Sequence, residues 1–176
     1  SKPFQALAVD VVPSLDILEK TQSLPLYRVE GGSRFDNITD WALKQFRDHY
    51  GAIGKQKKSI TKEAVFHYVY AALHDPVYRE KYALNLKREF PRIPLHGHSP
   101  TEFWRWAQWG EQLMSLHIGY EDVDPWPLKR TDITDEKAAR AGQSPKPMLK
   151  ADKIGGRILL DSETTLSGVP EQAWDY

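Results

Sequence analysis

From about residue 38 to residue 120, apolar side chains recur at the three- and four-residue steps of amphipathic helices. Toward both ends they alternate or bunch as in short strands. In DWALKQFRDHY, Ala42, Leu43, Phe46 and Tyr50 keep helical spacing, with Thr39 placed to cap the start and Gly51 to end it. In TKEAVFHYVYAALH (61–74) apolar residues cover nearly the whole circumference. They leave one narrow polar strip of Glu63, His67 and His74, which predicts a buried central helix with a wet edge. Asp75 can cap a further helix with Pro76 at its first position, where proline's missing N–H is harmless; the pattern runs to about Glu89 and stops before Pro91. Ser99-Pro100-Thr101-Glu102 forms a capping box, and the helix it opens, to about Ile118, gathers Phe103, Trp106, Ala107, Trp109, Gly110, Leu113, Met114, Leu116 and Ile118 on one broad arc. Trp104 falls among the polar residues of its other face.

Around these helices, ALAVDVV and SLPLYRVE read as extended pieces, GGSRFDN and GAIGKQKKS as loops, and the stretch after Tyr120 as irregular. GGRILLDSETTLSGVP resumes strand-like character, with Gly and Pro as turn signals. The expected fold is therefore mixed α+β, a mostly helical middle (about 38–120) with short strands from both terminal segments, in a single domain over 1–176. The ending WDY has no cap, and the chain is expected to be a fragment of a larger domain.

At 40% hydrophobic and 27% charged residues, the 176-residue chain has globular composition and can bury about two-thirds of its unfolded surface. The absence of cysteine excludes disulfides, thiolate metal sites and a thiol nucleophile. No segment approaches the apolar length of a membrane span, so no membrane partner and a cytoplasmic location are expected. Net charge is zero, yet residues 41–95 carry 11 basic against 5 acidic residues, net +6, and residues 96–136 carry 3 against 8, net −5. Such asymmetry marks either a face for an anionic partner or two parts that attract each other.

Most motifs reduce to local structure. Glu63, His67 and His74 share a helix face, but His67 and His74 are seven residues apart, roughly 10 Å along the axis, too far for the usual two-histidine zinc pair. His96-Gly97-His98 is weaker still. Asp124-Pro125-Trp126-Pro127 has the wrong order for an amino-methyltransferase signature and reads as a turn. Ser59-Ile60-Thr61-Lys62 lacks the companion motifs of a serine–lysine nucleophile, and neither GGSR nor GKQKK has the order of a phosphate loop. Asn37-Ile38-Thr39 is a sequon only in a secreted protein. No catalytic centre and no metal site are expected.

The stretch DPVYREKYALNLKREFPRIP (75–94) carries more. On one helix, Tyr78, Tyr82, Ala83, Leu86 and Phe90 gather on an inward arc while Lys81, Lys87 and Arg88 form an outward ridge. Arg92 follows directly, and Lys55, Lys57 and Lys58 precede in a basic loop. A solvated edge is the ordinary reading of such charges; the alternative is a set of phosphate contacts to DNA. Trp104 is a candidate interface residue, with burial under further chain as its alternative.

The run 60–95 also resembles the C-terminal specificity domain of single-chain Type ISP restriction-modification enzymes and their helicase–methyltransferase relatives. The likeness lies in His74-Asp75-Pro76-Val77-Tyr78-Arg79-Glu80-Lys81-Tyr82 and Phe90-Pro91-Arg92-Ile93-Pro94, and extends to FWRWAQWGEQLMSLHIGYE, TTLSGVPEQAWDY and ALAVDVVPSLDIL. It implies one polypeptide that joins a nuclease and helicase-like ATPase, an adenine-N6 methyltransferase and a target-recognition domain, in bacterial defence. S-adenosylmethionine, ATP and Mg would serve the parent polypeptide, with no cofactor in this fragment, which is not an enzyme on its own. The implied partners are double-stranded DNA and the methyltransferase and helicase-like domains. Two alternatives stay open: a scaffold that docks those domains without touching DNA, and an enzyme that uses Glu63, His67 and His74.

Overall fold

The computed structural model describes residues 4–14, 16–17, 21–51 and 59–174. Its contacts divide it into two units, 1–123 and 124–176. Among the described residues no helix is long and apolar enough to cross a membrane. The mixed α+β expectation holds, with helices concentrated in the middle and two small antiparallel sheets.

In the first unit, β1 (Tyr27–Glu30) and β2 (Ser33–Asp36) form a hairpin closed by Gly31 and Gly32, both at positive φ (56° and 79°). The sequence reading placed 31–37 in a loop. Two consecutive positive-φ glycines instead make a turn whose twist matches the strands, and SRFD folds back onto YRVE. ALAVDVV forms no ladder; it runs beside the helices, where the Ala8 N–H donates to the Tyr70 hydroxyl at 2.9 Å.

Thr39 accepts from the Ala42 N–H (3.1 Å) and opens α1 (Asp40–Tyr50); Thr61 accepts from the Ala64 N–H (3.1 Å) and opens α2 (Lys62–His74). Asp75 accepts from the Val77 N–H (3.0 Å) and opens α3 (Pro76–Lys81). The expected continuous helix to Glu89 breaks at Tyr82 (φ −109°, ψ 19°), and a single turn, α4 (Ala83–Leu86), follows. The predicted box at Ser99 is complete: its hydroxyl accepts from the Glu102 N–H, and the Glu102 carboxylate accepts from the Ser99 and His98 N–H groups. It opens α5 (Pro100–Ile118).

As expected, α2 is central. It packs along α5, with Tyr68 and Phe103 stacked at 5.5 Å, and α1 adds Phe46 and Tyr50. Only Phe103, Ala107 and Gly110 of the predicted α5 arc are fully buried, while Trp109, Leu116 and Ile118 are exposed. Thirteen residues of α2 cannot cover nineteen of α5.

The tyrosines fasten the extended segment after α4. The Tyr78 hydroxyl donates to the Arg92 carbonyl (3.0 Å). Tyr68 donates to the Pro94 carbonyl (2.9 Å) and accepts from the His96 N–H (2.7 Å). The Tyr50 hydroxyl lies 2.8 Å from that of Tyr68 and 3.0 Å from the His96 carbonyl. Burial raises the pKa of both phenols, so they remain proton donors. Tyr68→Phe would strand partly buried backbone groups of residues 94 and 96. The expected loss is about 2 kcal/mol in denaturant unfolding, with faster hydrogen exchange at the His96 amide.

His74 is not the wet edge the helical pattern suggested. It lies half-buried, with Tyr70 and His117 rings 4.7 and 5.2 Å away, because α5 and the segment 4–10 close over it. Burial first, then the charges of His117 and Arg79, push its pKa down to about 4, a backbone hydrogen bond to Ala6 opposing. The folded chain thus binds this proton less tightly than the unfolded chain. Stability should be full above pH 6.5, the ordinary histidine value, and fall by about 2 kcal/mol as pH drops toward 4. Denaturant midpoints measured above and below that window, in wild type and His74→Gln, check this.

In the second unit, β3 (Lys129–Asp132), β4 (Pro147–Asp152), β5 (Arg157–Asp161) and β6 (Thr164–Ser167) form a sheet ordered β3-β6-β5-β4. The strand character expected for 155–170 becomes the β5–β6 hairpin, closed by Asp161 accepting from the Glu163 and Thr164 N–H groups (2.8 and 2.6 Å). The stretch after Tyr120, read as irregular, supplies β3, β4 and the short α6 (Glu136–Arg140). Neither strand alternates in burial, since both are edges exposed along almost their whole length, so the periodic signal is missing. Trp126 donates to the Gly168 carbonyl at 2.9 Å, which anchors segment 124–127; the turn expected there does not form.

Candidate nucleic-acid interface

Which cations of the basic segment are available is decided by what each already holds. Lys44 pairs with Asp48, and Arg47 donates to the Ile60 carbonyl at 2.7 and 3.1 Å. Lys62 bridges Asp40 (2.7 Å) and Asp36 (3.4 Å), tying the hairpin to α1 and α2. Its ammonium lowers the pKa of Asp40, first by hydrogen bonding and then by charge. Arg79 donates to the Phe4 carbonyl, with its guanidinium 6.0 Å from the Phe4 ring. Arg47, Lys62 and Arg79 serve the fold, and Lys44 is held in an exposed pair one helical turn away.

Lys81, Lys87 and Arg88 differ. All three are exposed at the end of α3 and after α4, and among the described residues no carboxylate pairs with any of them. The Lys81 ammonium lies 5.3 Å from the Tyr82 ring, a weak tether for an exposed cation. Arg92, also exposed, reaches Glu89 at 3.3 Å, a surface pair that costs little to release. Its backbone is fixed by Tyr78. Lys55, Lys57 and Lys58 lie outside the described residues.

The inward arc is only partly as the pattern implied. Tyr78 and Leu86 are buried, but Tyr82 is 38% and Phe90 67% exposed. The break at Tyr82 rotates the second turn, and Phe90 falls beyond its end, so helical spacing no longer relates these residues. Phe90 joins Val77 and Leu84 as exposed apolar residues on the same stretch as the cations. Trp104 is half-buried, its ring edge-on to Phe103 at 5.2 Å and packed on the core cluster. The exposed indole of α5 is Trp109, which helical spacing assigned to the inner arc.

The histidines belong to packing. His96 stacks on Trp106 at 4.1 Å, and His49 contacts the Gly97 carbonyl at 2.7 Å with its ring 4.9 Å from His98. Among the described residues no group of three or more His, Asp or Glu side chains could hold a metal ion.

Against known proteins, the model of the Type ISP C-terminal specificity domain matches residues 1–176. No curated protein matches the chain. Among solved structures, the cryoEM structure of a DrdV–DNA complex is 53% identical with a TM-score of 0.84, covering 100% of this chain and 17% of that one. A nuclease-deletion mutant of the Type ISP restriction-modification enzyme LlaGI, in complex with a DNA substrate mimic, is 26% identical with a TM-score of 0.55, over 87% of this chain and 10% of that one. The chain thus spans a small part of the length of both proteins.

Proposed function

Because the chain belongs to the Type ISP C-terminal specificity domain family, we propose that residues 1–176 form part of a target-recognition domain that positions duplex DNA for an attached adenine-N6 methyltransferase and helicase-like translocase. The observation that carries this reading is the set of exposed cations that have no carboxylate partner among the described residues: Lys81 at the end of α3, and Lys87 and Arg88 directly after α4, beside buried Tyr78 and Leu86. Cations held at fixed spacing on a rigid element suit phosphates, whose contacts set register, while base edges carry the sequence information. The DNA complexes of the similar proteins support it. Arg92 and the loop residues Lys55, Lys57 and Lys58 would extend the same contact. In this reading the chain is not itself catalytic; S-adenosylmethionine, ATP and Mg serve other domains of a cytoplasmic parent enzyme. Duplex binding by Lys81→Ala/Lys87→Ala/Arg88→Ala, titrated over a range of salt, tests it: an unchanged salt dependence removes this ridge from the interface.

One observation favours a second reading. Val77, Leu84 and Phe90 expose apolar surface beside the cations, as a face that docks on protein would. In that case the region is a scaffold for the methyltransferase, and crosslinks from this face would reach protein and not DNA.

A further inference from the structure

β4 is the outer strand of the second unit's sheet, and two features set it apart from an ordinary edge. Its pairing with β5 slips between Pro147 and Lys150, so Met148 and Leu149 sit in a bulge off the regular ladder. Leu149 adopts φ +41°, the one non-glycine residue at positive φ among the described residues, and the residue is 78% exposed. A leucine in that conformation is strained relative to glycine, and here no burial of the side chain offsets the strain. The apolar tip makes sense as a contact with something outside the unit.

The neighbours indicate what that is. Lys146 and Lys150 flank the bulge, both exposed; among the described residues neither makes an ion pair, and Lys150 acts on Asp152 through its charge alone, after Arg157. The carboxylates along the same hairpin are occupied: Asp152 holds Arg157 at 2.6 Å and the Gly155 N–H at 2.9 Å, and Asp161 holds the N–H groups of Glu163 and Thr164. A strand from another protein fits poorly, since the bulge interrupts the ladder, Pro147 offers no N–H, and an edge lysine opposes strand addition. An apolar tip between two cations fits a DNA groove, where apolar side chains wedge against base steps while lysines hold the flanking phosphates.

We propose that the Met148–Leu149 bulge is a second DNA contact, with Leu149 inserted against the bases and Lys146 and Lys150 on phosphates to either side. It rests on the DNA-binding reading above but uses residues of the other unit. The test uses the full-length polypeptide and a mixed-sequence duplex carrying fluorescein or 2-aminopurine. Leu149→Gly suits the backbone, so the variant should melt at or above the wild-type temperature. Its duplex affinity should nevertheless fall about 10-fold with the salt slope unchanged, and the 2-aminopurine signal of an unstacked base should be lost. Lys146→Ala/Lys150→Ala should instead reduce the salt slope by about 2. If Leu149→Gly leaves affinity and 2-aminopurine signal at wild-type values while the Lys81/Lys87/Arg88 variant weakens binding, the bulge is overturned and the main reading stands. If Leu149→Gly only raises protease sensitivity between domains, the contact is to protein and the proposal falls. A wild-type protein that binds no duplex overturns both.

Discussion

Gly110→Ala should destabilise the first unit by about 3 kcal/mol, although alanine normally stabilises a helix interior by about 1 kcal/mol relative to glycine. The opposite sign comes from the approach of α2 to α5. A Cβ at position 110 would lie 1.8 Å from the His67 carbonyl oxygen, 2.6 Å from its carbon and 3.2 Å from the Ala71 nitrogen. These are backbone atoms of a hydrogen-bonded helix, so no side-chain rotation relieves the overlap and the two helices have to separate. Separation opens gaps around Phe103 and Tyr68, which the stacked pair cannot fill without leaving its geometry. Denaturant unfolding followed by tryptophan fluorescence would show the fall. A neutral or stabilised variant would mean the helices do not meet at this distance.

Replacing Lys81, Lys87 and Arg88 together by Ala should weaken duplex binding by up to about 100-fold at moderate salt, from on the order of 1 kcal/mol per exposed contact. Each phosphate contact releases counterions and contributes about 0.9 to the slope of log affinity against log salt, so the slope should drop by roughly 2 to 3. Folding should be unaffected, since the three side chains are exposed and hold no carboxylate among the described residues. Lys44→Ala is the matched control. Its ammonium is also exposed but stands on α1, outside the 81–92 segment, so its removal should leave the slope unchanged. A slope that falls with Lys44→Ala as well would indicate diffuse charge in place of a ridge.

The same ridge shows how far sequence reading reaches. That Lys81 faces outward follows from its spacing to buried Tyr78 within α3, while Lys87 and Arg88, beyond the break at Tyr82, are exposed in the turn after α4. That Phe90 lies exposed does not, because one extended helix was needed to carry the arc that far. Which of the segment's cations were available was equally hidden. Arg79 looks like a member of the ridge by position, yet it holds the Phe4 carbonyl 75 residues away, and Lys62 is taken up by Asp36 and Asp40. In the hairpin, Gly31-Gly32 between YRVE and SRFD carried a primed-turn signal that could have been read from the sequence.

By itself the sequence determined the features whose causes are local. The Thr39 cap, the Asp75-Pro76 start, the Ser99–Glu102 box and the apolar circumference of 61–74 act within a turn or two of chain, so the residues alone specify α1, α2 and α5 and the centrality of α2. Only the tertiary structure decided the rest: the tyrosine hydroxyls that clamp residues 92–96, the closure over His74, the near contact at Gly110 and the strained, exposed Leu149. Each depends on groups brought together from distant positions or on a backbone conformation imposed by a neighbouring strand. Hydrogen-bond partners and burial are properties of that assembled surface, and no periodicity along the chain encodes them.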